Sequence, residues 1–144
     1  EAEWEYAARG VQYNDDKSAN TKYNWGNSID CSKARYGYLS HECGKKYSTN
    51  VVGSYSANGF GLYDMHGNVY EWTEDCLNKS YELEGRKAPV NGDAWLQGEC
   101  GYRVLRGGSW GNNAGYLRSA FRNRFYATFR YDGIGFRLVQ DARP

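Results

Sequence analysis

The sequence predicts an α+β fold poor in regular structure, and three observations carry that expectation. The chain has 144 residues, with 18 glycines against 2 prolines and 17% aromatic residues. Its mean hydropathy of −0.85 is that of a polar, loop-rich chain. Helical periodicity is confined to the first ten residues, and period-two alternation appears only in a few short runs further on. The length suits one domain, residues 1–144, with a modest core pinned by aromatic rings. At a formal net charge of +1, bulk electrostatics select no class of partner. No apolar run is long enough to span a bilayer. No basic segment leading into an apolar one opens the chain as a secretion signal would, and the first residues read as the inside of a domain.

"EAEWEYAARG" is the predicted helix. Ala, Glu and Arg favour that state, and Glu5 stands one turn before Arg9. Gly10 occupies the position where a helix commonly ends in a left-handed residue. Trp4, Ala7 and Ala8 give the helix an apolar side. From Val11 to Asn58, clusters of Gly, Asn, Ser and Asp are interrupted by "YNWG" and "VVGSY", the pattern of coil with short strands. "GLYDMHGNVYEWTEDC" follows, with a turn at His66 and Gly67 leading into a strand through Val69, Tyr70 and Trp72. "RVLRGGSW" is a strand, with Val104 and Leu105, running into a Gly-Gly bend. "IGFRLV" closes the chain as a strand whose Ile134, Phe136 and Leu138 alternate toward the core.

Between the last two runs, Tyr116, Phe121, Phe125, Tyr126, Phe129 and Tyr131 follow no period and read as irregular loop. The competing reading is a helical core stripe of Phe121, Phe125 and Phe129. Interleaved Arg122, Arg124 and Arg130, with Gly and Asn nearby, argue against it.

Four cysteines, Cys31, Cys43, Cys76 and Cys100, include no C-x-x-C pair, so neither a zinc ribbon nor a thioredoxin-type site is favoured. They allow three pairings, and the sequence cannot choose among them. We favour Cys76 with Cys100, which bracket a polar loop, and Cys31 with Cys43, in an oxidising compartment. Free buried thiols are the alternative.

"EAEWEYAARG", "GFGLYDMHGNVYEW", "VLRGGSW" and "GFRLV", in this order, resemble the formylglycine-generating-enzyme (sulfatase-modifying factor) family. The resemblance implies a C-type-lectin-like fold, of which this chain would be the C-terminal part. It also carries an activity. The enzymes of that family oxidise a substrate cysteine with copper held by two cysteine thiolates, soft ligands that suit Cu(I). Here the matching motif is "RSAFR", with Ser119 in the place of one thiolate and Ala114 near the other. A hydroxyl and a methyl cannot substitute for two soft anions, so no copper is expected. The accessory domain of iron-dependent sulfoxide synthases is another family role. It needs three histidines elsewhere, and this chain has only His41 and His66.

The same region, about residues 107–139, is similar to the variable region of diversity-generating retroelement proteins. In those systems a template is copied with errors at adenines, so Asn codons become codons for Tyr, Phe, Asp, Gly, Ser or Arg. The frame "GGSW", "LRSA" and "IGFRLV" is retained here. The positions that differ are Gly111, Tyr116, Phe121, Arg124, Phe125, Tyr126, Phe129, Tyr131, Asp132 and Gly133. Asn112, Asn113 and Asn123 read as template positions left unchanged or restored. The resemblance implies that the variable side chains, Asn113 and Asn123 included, project together as a binding surface. Leu117, Ala120, Ile134, Phe136 and Leu138 would face the core. Tyr and Phe supply large contact area at low entropic cost.

The resemblance further implies a structural calcium site at "DMHGNVYE", from the Asp64 and Glu71 carboxylates and the carbonyls of Gly67 and Val69. A second family calcium site is not expected, because Arg35 and Lys45 stand where its acidic and amide ligands would be. His41 with Cys31 and Cys43 lacks a fourth ligand for a metal. Asn78 opens a lone "NKS" sequon of the kind expected by chance. The arginines after Gly101, among them Arg106, Arg118, Arg122 and Arg137, read as holding loops rather than nucleic acid. The expected function is therefore a non-catalytic, receptor- or adhesin-like binding protein at a bacterial or phage surface or in the periplasm. Its ligand would be a protein or cell-surface molecule of unknown identity. The alternative is an oxidoreductase acting on protein cysteine.

Overall fold

A computed structural model of the chain describes residues 1–11, 20–37, 42–43, 47–83 and 86–140. The expected helix is α1, Ala2–Arg9, closed by Gly10 in the left-handed conformation at φ 64°. Ala8 is fully buried, and Arg9 reaches back to Glu5 at 2.6 Å. The helix is thus fixed by one apolar side, one local ion pair and its terminal glycine.

Behind it lies a four-stranded sheet. Its members are β1 (Tyr70–Leu77), β4 (Glu99–Arg106), β5 (Asn123–Tyr126) and β6 (Ile134–Gly135), in the order β5-β4-β1-β6. β4 runs antiparallel to both its neighbours, while β1 and β6 are parallel. A separate hairpin, β2 (Glu82–Leu83) and β3 (Arg86–Lys87), sits in the loop between Cys76 and Cys100. That loop is closed by the Cys76–Cys100 disulfide, and a second disulfide joins Cys31 to Cys43. Both pairings are those favoured from the sequence.

The central strands contribute Tyr70, Cys76, Val104 and Leu105 to the buried interior. A second apolar cluster forms beside them from Tyr23, Ala34, Tyr36 and Leu117, with Trp25, Ile29 and Ala114 against it. Leu117 reaches that cluster from a single 3-10 turn, Ala114–Leu117. The chain can deliver it because the Gly-Gly bend after β4 is tight. Gly108 has φ +76°, and a Cβ there would lie 2.8 Å from Leu117 Cδ1. Glycine is required on both counts.

Four expectations need correction. "YNWG" makes only an isolated bridge between Tyr23 and Gly26, and "VVGSY" contains turns and bends rather than a strand. The aromatic stretch read as loop contains β5, which had no alternation to announce it because its side chains face partly open surface on both sides. The competing helical stripe is not formed either. "IGFRLV" is a strand for two residues only, and Phe136 and Leu138 are exposed, at 71% and 88%. The cause is Arg137, which turns inward to pair with Glu71, so the alternation throws its two apolar neighbours outward. Ala120 is likewise exposed, whereas Leu117 is buried as expected.

Candidate functional site

The Asp64–Asn68 turn is the hub from which the surface is built. Asp64 and Asn68 both have left-handed backbone, at φ 56° and 64°. Hydrogen bonds to two other segments, at Arg35 and at residues 107–110, hold the turn. Gly67 N donates to Gly107 O at 2.8 Å, Asn68 N to Arg35 O at 2.8 Å, and Trp110 N to Asn68 O at 2.9 Å. A Cβ on Gly67 would approach Arg35 O to 2.3 Å, so only glycine closes this junction. His66 ties the hub to the segment that follows β4. Its Nδ1 bonds the carbonyl of Leu117 at 2.7 Å, and its Nε2 accepts from Asn24 N at 3.2 Å. Those two partners define a neutral ring with the proton on Nδ1. Burial pushes its pKa down to about 4.

Arginines brace the remaining loops, as the sequence suggested. Arg106, fully buried, pairs with Glu5 at 2.6 Å, donates to Phe121 O and lies over the Trp4 ring. Arg122 pairs with Glu1 at 2.8 Å and donates to Asn78 O. Arg118 donates to Gly115 O at 3.0 Å. Asn78 itself is buried, with its amide on Gln97 O at 2.7 Å, which places the sequon's acceptor inside the structure.

On this frame the aromatic side chains gather into three groups. Tyr116 packs on Phe121, with ring centres 4.8 Å apart. Phe125 stacks on Phe129 at 4.7 Å, and Phe129 continues to Tyr131 at 6.4 Å. Tyr126 stacks on Tyr102 at 4.2 Å. Register explains the division. In β5, Phe125 lies opposite Arg103 while Tyr126 lies opposite Tyr102, and neighbouring residues of a strand point to opposite faces. Phe125 and Tyr126 therefore serve different sides of the sheet edge. Tyr116, Tyr126, Phe129 and Tyr131 are all exposed. Arg124 and Asp132 are exposed as well, while Phe121, Asn123 and Phe125 are half-buried.

Some positions do not present a side chain. Gly111 and Gly133 are buried. The Gly133 carbonyl accepts from Tyr70 N at 2.8 Å, and a Cβ there would meet the Tyr131 ring and Ser109. Asn112 is a frame residue: its side-chain oxygen accepts from Ser109 N and Oγ, and its carbonyl from Gly37 N. Asn113 caps the 3-10 turn through Gly115 N. Sequence reasoning missed two scaffold residues. Tyr102 on β4 supports Tyr126, and Trp72 on β1 forms one wall of a cleft of about 420 Å³. The other walls are Phe129, Arg130, Tyr131, Asp132 and Ile134. The strand register, which brings β1 and β6 side by side, is the signal that would have found Trp72.

The four residues of the expected calcium site share the hub but not a free set of donors. Glu71 receives Arg137 Nε at 2.7 Å and Trp4 Nε1 at 2.6 Å, both on Oε2, and Arg137 also reaches Oε1. Asp64 accepts from Gly53 N at 2.7 Å. No group of three or more His, Cys, Asp or Glu able to hold a metal occurs among the described residues. A calcium ion at Glu71 would compete with the guanidinium that already pairs with it. The place implied for copper is no better suited. Ser119 is buried with its hydroxyl on Lys22 O at 3.3 Å, Ala114 offers a methyl, and all four cysteines are in disulfides. His41 and Lys45 lie outside the described residues. No helix among the described residues is long and apolar enough to cross a membrane.

This frame, a small curled sheet whose Gly-Gly bend and arginines hold long loops, is that of the sulfatase-modifying factor enzyme 1-like domain. The model of that family matches residues 1–142, and the chain belongs to it. It is 38% identical over 144 residues to serine/threonine-protein kinase Pkn1 of Chlamydia trachomatis, covering 99% of this chain and 21% of the kinase. It is 33% identical to the formylglycine-generating enzyme of Streptomyces coelicolor, covering 99% of this chain and 46% of that protein. Among solved structures, PvdO from Pseudomonas aeruginosa matches with a TM-score of 0.68 at 36% identity, covering 94% of this chain and 48% of PvdO. Treponema denticola variable protein 1 matches with a TM-score of 0.66 at 29% identity, covering 94% of this chain and 43% of that one. The chain thus spans between about a fifth and a half of these relatives, which by name include two enzymes and a variable protein.

Proposed function

We propose that the chain is a non-catalytic ligand-binding protein of the variable-protein kind, with binding residues between Gly111 and Gly133 diversified by a retroelement. The observation that carries this reading is the exposure of Tyr116, Tyr126, Phe129 and Tyr131, held on a segment whose frame residues are buried or hydrogen-bonded. Large aromatic side chains left at the surface in one region mark interaction sites. They lie outside the buried core, so substitution there is expected to leave the scaffold formed. The likeness to variable protein 1 supports the same reading. The two disulfides support an oxidising location outside the cytoplasm as part of this reading. Copper-dependent oxidation of cysteine is not part of the proposal, because Ser119 and Ala114 lack the donor atoms.

Sequencing the DNA around the gene tests it. The expected result is a near-copy of the segment encoding Gly107 to Val139, differing only at adenines, beside a reverse transcriptase gene. Finding neither would remove the diversification mechanism, and cysteine oxidation by the copper-loaded protein would then be the next assay.

A further inference from the structure

The cleft beside Trp72 has a definite chemistry. Three of the residues that line it are aromatic: Trp72 on the scaffold strand β1, and Phe129 and Tyr131 on the loop between β5 and β6. Phe125 extends this ladder through its stack on Phe129. Ile134, half-buried beside β1, closes one side. Two charged residues stand at the rim, and they are not equivalent. Arg130 Nη1 turns back on its own loop, donating to Phe129 O at 3.1 Å and Ala127 O at 3.5 Å. The carboxylate of Asp132 makes neither a hydrogen bond nor an ion pair among the described residues. Aromatic ring faces carry negative potential, and an unneutralised carboxylate adds to it.

We infer that this cleft receives a protonated Lys or Arg side chain of a protein ligand, its cationic group over Trp72 and Tyr131 and paired with Asp132. The inference rests on the binding reading above and adds the ligand's chemistry. It also gives the scaffold a fixed share in recognition. Trp72 lies outside the diversified segment, so an indole wall persists whatever residues stand at 129, 131 and 132.

The test uses the whole chain and small probes. The indole N–H resonance of Trp72, assigned by its disappearance in Trp72→Phe, is followed by NMR while Nα-acetyl-lysinamide or Nα-acetyl-argininamide is added. Both are expected to shift it, and Nα-acetyl-norleucinamide, of similar length but uncharged, is not. Asp132→Asn, at an exposed position that leaves the fold intact, should weaken the lysinamide response about two- to fivefold. Arg130→Gln should leave it unchanged or strengthen it. A response to acetate or sulfate that Arg130→Gln abolishes would make the cleft an anion site and overturn the inference. So would a response to methyl glucoside alone, or no response to any probe. Each of these failures concerns the cleft's ligand and leaves the DNA test of diversification standing independently.

Discussion

At the scale of single residues, His66 and Glu71 hold the hub by opposite means. His66 is buried and neutral, with both ring nitrogens in use. Its pKa near 4 lies below the ordinary value of 6.5, with burial the main cause and the nearby Arg9 charge a lesser one. The unfolded chain therefore takes up a proton that the folded chain refuses. Stability from this group is full above about pH 6.5, falls as the pH drops, and levels off near pH 4. The loss across the window amounts to about 3 kcal/mol. Urea unfolding at a series of pH values should show that decline, and His66→Gln should flatten it between pH 6.5 and 5, where carboxylates scarcely titrate. An unchanged slope in the variant would place the pH dependence elsewhere. Glu71 is tied down by its pairing with Arg137. If calcium reaches this turn, it must displace that guanidinium. Arg137→Ala should then gain more in Tm from millimolar calcium, measured against EDTA, than the wild-type chain gains. Equal gains would show that Glu71 is not a calcium ligand.

At the scale of elements, legibility followed the local signal. α1 was readable because its ion pair, its apolar side and its final glycine all lie within ten residues. β1 and β4 were readable because they combine β-branched and aromatic residues with flanking turns, and pair over most of their length. β5 was not readable: its four residues read Asn-Arg-Phe-Tyr, and pairing with β4 alone makes them a strand. β6 misled, since its alternation continued past the last paired residue. The same division separates side chains that hold the fold from those that rest on it. Leu117 lies at the centre of the second apolar cluster, and its replacement by Ala should cost about 2–5 kcal/mol. Replacing Tyr116, Tyr126 or Tyr131 by Ala should each cost under about 1.5 kcal/mol, because these rings are exposed and contribute little beyond one ring contact. Denaturant unfolding of the four variants decides the matter. Losses at the tyrosines equal to that at Leu117 would assign them to the core and remove the binding surface.

At the scale of the whole molecule, a modest core carries long loops, and closure of those loops becomes a large share of stability. Among the described residues between β1 and β4 the β2–β3 hairpin is the regular structure, and this region packs back on the sheet through Trp95, whose carbonyl accepts from Cys76 N and whose N–H reaches Asp75. Both disulfides lie ahead of the variable positions in the chain, whereas the bracing arginines Arg118 and Arg122 are interleaved with them. The loop closed by Cys76–Cys100 precedes the variable positions and meets their frame at Arg122, which donates to Asn78 O, and Cys31–Cys43 lies beside the cluster that receives Leu117. The two disulfides were legible in the sequence only as a choice among three pairings. What settles them in the structure is that each joins neighbouring cysteines, with sequence separations of 12 and 24. Loop-closure entropy gives each about 3 kcal/mol, slightly more for the longer loop. Replacing Cys76 and Cys100 together by Ser should therefore lower stability by about that amount, read from denaturant midpoints, with the aromatic surface still formed at low denaturant. Replacing Cys31 and Cys43 should cost a similar amount but also loosen the support of Leu117, seen as faster amide exchange at Leu117 and His66. Should both pairs affect exchange there equally, the loops are one cooperative unit and the separation of binding surface from brace would not hold.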